Sequence, residues 1–221
     1  MERENGIDLT DKEIIGKGSS AVIYDLGDDT CYKKIYNKDF INQDDQITVL
    51  ETIKNLKLAN FCKIKNITYN ENGDVVGYVI KRYENQNVDI LSLPKDYLLD
   101  SYTGLYYDLY KLAENFICVK DLKLSNVFIN YDGIVVYDYD LYKKGDSTDA
   151  ALINNRIKLN CLFNEILSYE LTYKYNLDPR ICVEKINELF NARTDIKTLE
   201  ESLKNYNRII DFIRGNYEKR R

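Results

Sequence analysis

Apolar and polar residues come in short strand-like runs over the first part of the chain and then change to a helical period. AVIYDL (21–26) and TCYKKIY (30–36) are apolar runs joined by GDD, and FCKIKNITYN (61–70) and VVGYVIKRY (75–83) are joined by ENGD. Such runs on either side of a Gly/Asp/Asn cluster predict two antiparallel hairpins. Between them, Gln43 to Leu58 places Ile47, Leu50, Ile53 and Leu56 at helical spacing with no Gly or Pro, which predicts one helix. After Tyr83, the residues Leu98, Tyr102, Leu105, Leu109, Leu112 and Phe116 recur at steps of three and four, an apolar stripe on a long helix. Further helices are expected over Ala150 to Leu167, Ile181 to Phe190 and Asp195 to Arg214, with Pro94 and Pro179 in connections. The pattern is therefore α+β: a small β-rich part over about residues 1–83, a connection near Arg82 to Leu93, and a helical part over about 84–221.

Composition narrows the chemistry. The chain of 221 residues contains no His, which excludes Ser-His and Cys-His catalysis and His-ligated zinc. Acid–base work then falls to Asp, Glu, Lys or Tyr. The five Cys (31, 62, 118, 161 and 182) are scattered without a CxxC pair. An odd, dispersed set predicts reduced thiols and a cytoplasmic protein, in a host cell if it is delivered there. A net charge of −5 argues against a general nucleic-acid binder. No apolar run approaches the ~20 residues of a membrane span, and the polar start MERENGIDLT is unlike a signal peptide. The 20 Tyr suit packing positions, with large area and a polar tip.

Chemistry concentrates in ICVKDLKLSNVFINYDGIVVYDYDLY (117–142). Asp121, Lys123 and Asn126 fall in a loop after the long helix, and the loop runs into the strand VFI. A turn at Tyr131-Asp132-Gly133 and the strand IVVY then deliver Asp138 beside Asn126. One carboxamide and one carboxylate there offer the hard oxygen donors that Mg²⁺ prefers. Asp121 is left to accept a hydroxyl proton, and Lys123 to neutralise charge on a moving phosphoryl group. Upstream, Gly16-Lys17-Gly18-Ser19-Ser20-Ala21 lies between two strands, where glycines let backbone N–H groups approach phosphate oxygens. Taken alone, this turn also fits a plain hairpin. Lys33 or Lys34 follows one hairpin later, and Glu51 is the only Glu between positions 14 and 70 to fix such a Lys.

In this order the motifs resemble those of the protein-kinase superfamily. GKGSSA resembles its Gly-rich loop, VKDLKLSN its catalytic loop H-R-D-L-K-x-x-N, and YDYD its D-F-G. The resemblance implies a single bilobal kinase-like domain over 1–221, with a reduced helical C-lobe, that binds ATP and Mg²⁺. It implies Asp121 as catalytic base, Lys123 as stabiliser of phosphoryl charge, and Asn126 and Asp138 as Mg²⁺ ligands. Gly16, Lys17, Gly18 and Ser19 would hold phosphates. Lys33, with Lys34 as the alternative, would be the nucleotide Lys paired with Glu51. Ile23 and Cys31 above and Phe128 below would sandwich the base, with Lys81 to Tyr83 as hinge.

Several positions depart from that pattern. Ala21 stands for the third glycine, Val119 for the His, Lys120 for the Arg and Asp140 for the last Gly, which suggests a site with less switching. No A-P-E follows, and the segment after Asp140 is short, so the platform for peptide substrates is nearly missing. Lys123 favours a Ser/Thr protein acceptor, while the trimmed platform favours a small hydroxyl acceptor. A catalytically silent fold that binds a partner is the third reading.

Overall fold

The structure, a computed structural model, describes residues 3–4, 7–36, 43–84, 86, 88–90, 93–94, 96–170, 178–189 and 197–218. It is a mixed α+β protein with a five-stranded antiparallel sheet and, among the described residues, five α-helices. A short ribbon of β1 (Arg3–Glu4) and β2 (Ile7–Asp8) precedes the sheet. The sheet comprises β3 (Ile14–Lys17), β4 (Ala21–Gly27), β5 (Thr30–Ile35), β6 (Ile64–Tyr69) and β7 (Val75–Lys81), in the order β3-β4-β5-β7-β6. The GDD turn works because Gly27, Asp28 and Asp29 all take positive φ (80°, 49° and 55°), a region that Gly occupies freely and Asp tolerates.

Helix α1 (Gln43–Asn55) packs on β6 and ends three residues before the expected Leu58. The second predicted hairpin also begins later than its apolar run. Phe61 bridges to Val136, the Cys62 N–H donates to the Val136 carbonyl at 2.8 Å, and the Val136 N–H donates to the Asn60 carbonyl at 2.8 Å. This stitch ties the start of β6 to the hairpin of β9 (Val127–Asn130) and β10 (Gly133–Val136).

Helix α2 (Asp96–Glu114) buries Leu98, Tyr102, Leu105, Leu109 and Leu112, the stripe read from the sequence. Phe116 does not continue it: the chain has already turned, with φ 62° at that residue, and the ring is 43% exposed. The strand β8 (Ile117–Cys118) follows and pairs with β11 (Lys143–Lys144), so both ends of the chemically rich stretch meet.

The remaining helices begin where local capping dictates. Helix α3 (Thr148–Glu165) starts two residues earlier than Ala150 because the Ser147 Oγ accepts the Ala150 N–H at 3.2 Å. Helix α4 (Pro179–Leu189) takes Pro179 as its first residue, where a missing N–H costs nothing, so that proline is not in a connection. Helix α5 (Leu199–Glu218) opens with a capping box: the Thr198 N–H donates to Glu201 Oε2 at 2.9 Å and the Glu201 N–H to Thr198 Oγ1 at 3.2 Å. The expected ends Asp195 and Phe190 lie outside the described residues.

Helices α3 and α5 pack on α2, and α4 packs on α5. One apolar core runs from Val49 and Leu50 of α1 through Ile64, Tyr78 and Ile80 of the sheet to Leu105, Leu162, Phe163 and Ile209. Cys31, Cys62, Cys118 and Cys161 are unbridged. Among the described residues no helix is long and apolar enough to cross a membrane.

Candidate functional site

A cavity of about 400 Å³ opens between the β3–β4 turn and the loops that flank β9 and β10. Gly16, Lys17, Gly18, Ser19, Ser20, Ala21 and Ile23 line one side. Lys33 forms the back, and Asp121, Lys123, Ser125, Asn126, Tyr137 and Asp138 line the other side. The turn is held by its own backbone, with the Gly18 N–H donating to the Ala21 carbonyl at 2.9 Å. A register shift between Ile14 and Gly16 sets Gly16 opposite Ile23, where an added Cβ would sit 3.4 Å from Ile23 Cδ1. The chain can approach a ligand here without a side chain between them.

The loop between β8 and β9 is fixed mainly from helix α3. The buried Asn155 accepts the Val119 N–H at 2.8 Å on Oδ1 and donates through Nδ2 to the carbonyls of Ile117 (2.9 Å) and Leu109 (3.2 Å). Asn154 donates to the Val119 carbonyl at 2.7 Å, and Glu165 Oε2 accepts the Leu124 N–H at 2.8 Å. No motif in the sequence singles out these three residues. A signal for one was present, since Asn155 interrupts the apolar spacing Ala151–Leu159 on one helix face.

Within that loop the side chains lock together. Asn126 Nδ2 donates to the Asp121 carbonyl at 2.7 Å and to Asp121 Oδ2 at 3.0 Å. Lys123 Nζ lies 2.8 Å from the same Oδ2. That hydrogen bond is the chief reason the Lys123 ammonium holds its proton above the usual Lys range. The Tyr137 N–H donates to the Asn126 carbonyl at 3.1 Å and carries Asp138 to Asn126, as the strand pairing predicts. Asp121 is thus oriented by an amide and a cation, with its side chain 38% exposed toward the cavity.

Lys33, and not Lys34, faces the cavity, as the alternation of β5 requires for one of the two. Its Nζ lies 2.7 Å from Asp138 Oδ1 and 2.8 Å from Asp140 Oδ2. Burial is the largest influence on its pKa and favours the neutral amine. The charges of Asp140 and then Asp138, with a hydrogen bond to each, outweigh it, so the ammonium is held above its ordinary range. The expected pairing of Lys33 with Glu51 is not formed. Glu51 Oε1 instead accepts the Tyr69 hydroxyl at 2.7 Å, because α1 lies against the edge strand β6 and that ring reaches its carboxylate first.

The expected adenine wall is also rearranged. Ile23 lines the cavity, but Cys31 and Phe128 do not. Cys31 is buried in the sheet, and its thiol is pushed up to about 11, chiefly by burial and then by the charge of Asp25. Tyr137 stands between Phe128 and the cavity, with ring centroids 4.4 Å apart, and its hydroxyl donates to the Ser125 carbonyl. Behind it, Phe128 stacks on Tyr83 at 6.2 Å. Lys81 and Tyr83 line a different cavity of about 430 Å³, with Arg82, Asn60, Asn130 and Asp132. The Arg82 guanidinium pairs with Asp25 at 2.5 Å.

The donor set fits a hard cation between Asn126 and Asp138. Among the described residues Asn126 Oδ1 has only a long contact, from the Ser125 hydroxyl at 3.4 Å. Asp138 Oδ1 takes Lys33 and, at 3.3 Å, the Asp140 N–H, which leaves Oδ2 open among the described residues. Models of known protein families give no match to this chain, and no curated protein matches it.

Proposed function

We propose that the protein is a Mg·ATP-dependent phosphotransferase of the protein-kinase type, a bilobal fold with a β-rich lobe over the nucleotide and a reduced helical lobe beneath. The acceptor we favour is a Ser or Thr hydroxyl of a protein. One observation carries the reading. A glycine-bearing turn, a buried Lys, a carboxylate–carboxamide pair and a separate Asp with its own Lys all line one cavity. That is the set phosphoryl transfer needs, since its catalysis is mostly positioning and charge stabilisation.

In this reading the turn Gly16–Ser19 and Lys33 bind the phosphates, and Ile23 and Tyr137 flank the base. Asn126 and Asp138 would hold Mg²⁺, whose charge offsets that of the phosphates. Asp121 orients the acceptor hydroxyl and takes its proton. Lys123, half-exposed beside it, offsets charge on the transferred group. A small-molecule hydroxyl is the second reading. It is favoured by the short run from Leu141 to Ser147, which β11 pins to β8 and which leaves little surface for a peptide.

Incubation with Mg²⁺ and γ-labelled ATP, alone and with generic protein acceptors, separates these readings. Label on protein that disappears in Asp121→Asn supports the protein kinase. ADP release without labelled protein points to a small acceptor. Nucleotide binding with neither signal would leave a partner-binding fold and end the catalytic reading.

A further inference from the structure

Asp140 is the unusual member of the site. Its side chain is 3% exposed, and both oxygens are spoken for. Oδ1 accepts the Tyr78 hydroxyl at 2.7 Å, and Oδ2 meets Lys33 Nζ at 2.8 Å and the Ser20 hydroxyl at 3.3 Å. Tyr78 is wholly buried on β7, and its ring lies under the Lys33 ammonium at 5.7 Å. Asp140 therefore spends its buried carboxylate on Tyr78, Lys33 and Ser20. Asp138 differs: it is 30% exposed, lines the cavity of about 400 Å³ and, among the described residues, keeps Oδ2 open. The two carboxylates that share Lys33 are thus built for different tasks.

Accepting the phosphotransferase reading, on which this rests, we propose that Asp140 is the positioning residue for the nucleotide Lys, in place of any carboxylate on helix α1. Asp138 shares Lys33 only until a cation and nucleotide arrive. Its charge then turns to the cation, and Asp140 alone keeps the ammonium aimed at the phosphates. The Ser20 contact ties the same carboxylate to the glycine turn, so one buried group sets both the Lys and the turn above it. Glu51, engaged with Tyr69, takes no part. A consequence follows for regulation: displacing helix α1 would leave Lys33 in place, so this site lacks a switch worked through that helix.

The test is the affinity for ADP, with Mg²⁺ and with chelator, of wild type, Glu51→Gln and Asp140→Asn. Glu51→Gln should change neither affinity by more than about twofold, the scale expected of a group outside the site. Asp140→Asn should weaken Mg·ADP about tenfold or more, the effect of losing a charge-assisted hydrogen bond. Metal-free ADP should weaken by only about threefold, because Asp138 is still available to Lys33 there. An equal loss in both conditions would make Asp140 merely structural and overturn the proposal. So would a Glu51→Gln loss as large as that of Asp140→Asn. If Asp140→Asn does not fold, Glu51→Gln decides alone: unchanged Mg·ADP affinity supports the proposal, and a tenfold loss overturns it. Wild-type protein that fails to bind Mg·ADP would instead sink the phosphotransferase reading itself, a result distinct from a loss confined to Glu51→Gln.

Discussion

Replacing Asn155 by Ala removes the buried side chain that ties the loop between β8 and β9 to helix α3. The residue is fully buried and makes hydrogen bonds to the Val119 N–H and to the carbonyls of Ile117 and Leu109. The Leu109 carbonyl also faces the hydrogen-bond ladder of its own helix, so its loss matters least. The Val119 N–H and the Ile117 carbonyl are left short of a partner at about 1–3 kcal/mol each, and the sum is about 3 kcal/mol. With a urea slope of roughly 3 kcal/mol per molar, the unfolding midpoint falls by about 1 M. Asn154→Ala is the internal comparison. That side chain is half-buried and gives the loop one hydrogen bond, to the Val119 carbonyl, so its shift should be about a third as large. Urea unfolding followed by circular dichroism reads both shifts. An Asn155→Ala midpoint within 0.2 M of wild type, or a larger shift for Asn154→Ala, would refute the account of how α3 holds the loop; that margin is roughly the uncertainty of the method.

Three further outcomes follow. Asp138→Asn should weaken Mg·ATP binding, and calorimetry giving unchanged affinity would remove its metal role. Lys34→Ala should leave nucleotide affinity intact while Lys33→Ala lowers it at least tenfold, and the reverse order would reassign the nucleotide Lys. Stability should be level near neutral pH and fall from about pH 10 upward. The chain has no His, and the charges of Asp140 and Asp138 outweigh burial to hold Lys33 above its ordinary range, while Tyr69, Tyr97 and Tyr102 are raised to about 12, chiefly through burial. The folded state therefore binds more protons than the unfolded chain above pH 10, and linkage makes rising pH destabilising. Thermal melts from pH 7 to 12 with phenolate absorbance recorded alongside would check this. Tyrosines that all ionise near pH 10 without unfolding would contradict it.

Local signals were legible wherever one element carries them whole. The GDD and ENGD hairpins, the α2 stripe from Leu98 to Leu112 and the approach of Asp138 to Asn126 each depend on residues close in sequence or on one strand pair. What failed depends on packing between distant elements. Glu51 was the natural partner for a buried Lys until Tyr69 on the neighbouring strand and Asp140, 107 residues from Lys33, were placed in space. Lys81 to Tyr83 are expected as the hinge only through the kinase resemblance. The structure sets them on a second cavity, with the Tyr137 ring against Phe128 on the side of the first. Tyr78 reads from the sequence as core filling, although its hydroxyl also donates to Oδ1 of the buried Asp140.

The most direct test of the central claim is Mg²⁺-dependent ADP production by wild type and by Asp121→Asn, with the nucleotide affinity of both measured beside it. The account predicts equal affinities and a loss of transfer of about 100-fold or more in the variant, the usual scale for removing a general base. Transfer at the wild-type rate in Asp121→Asn, or no Mg²⁺-dependent turnover by wild type across acceptors, would contradict it.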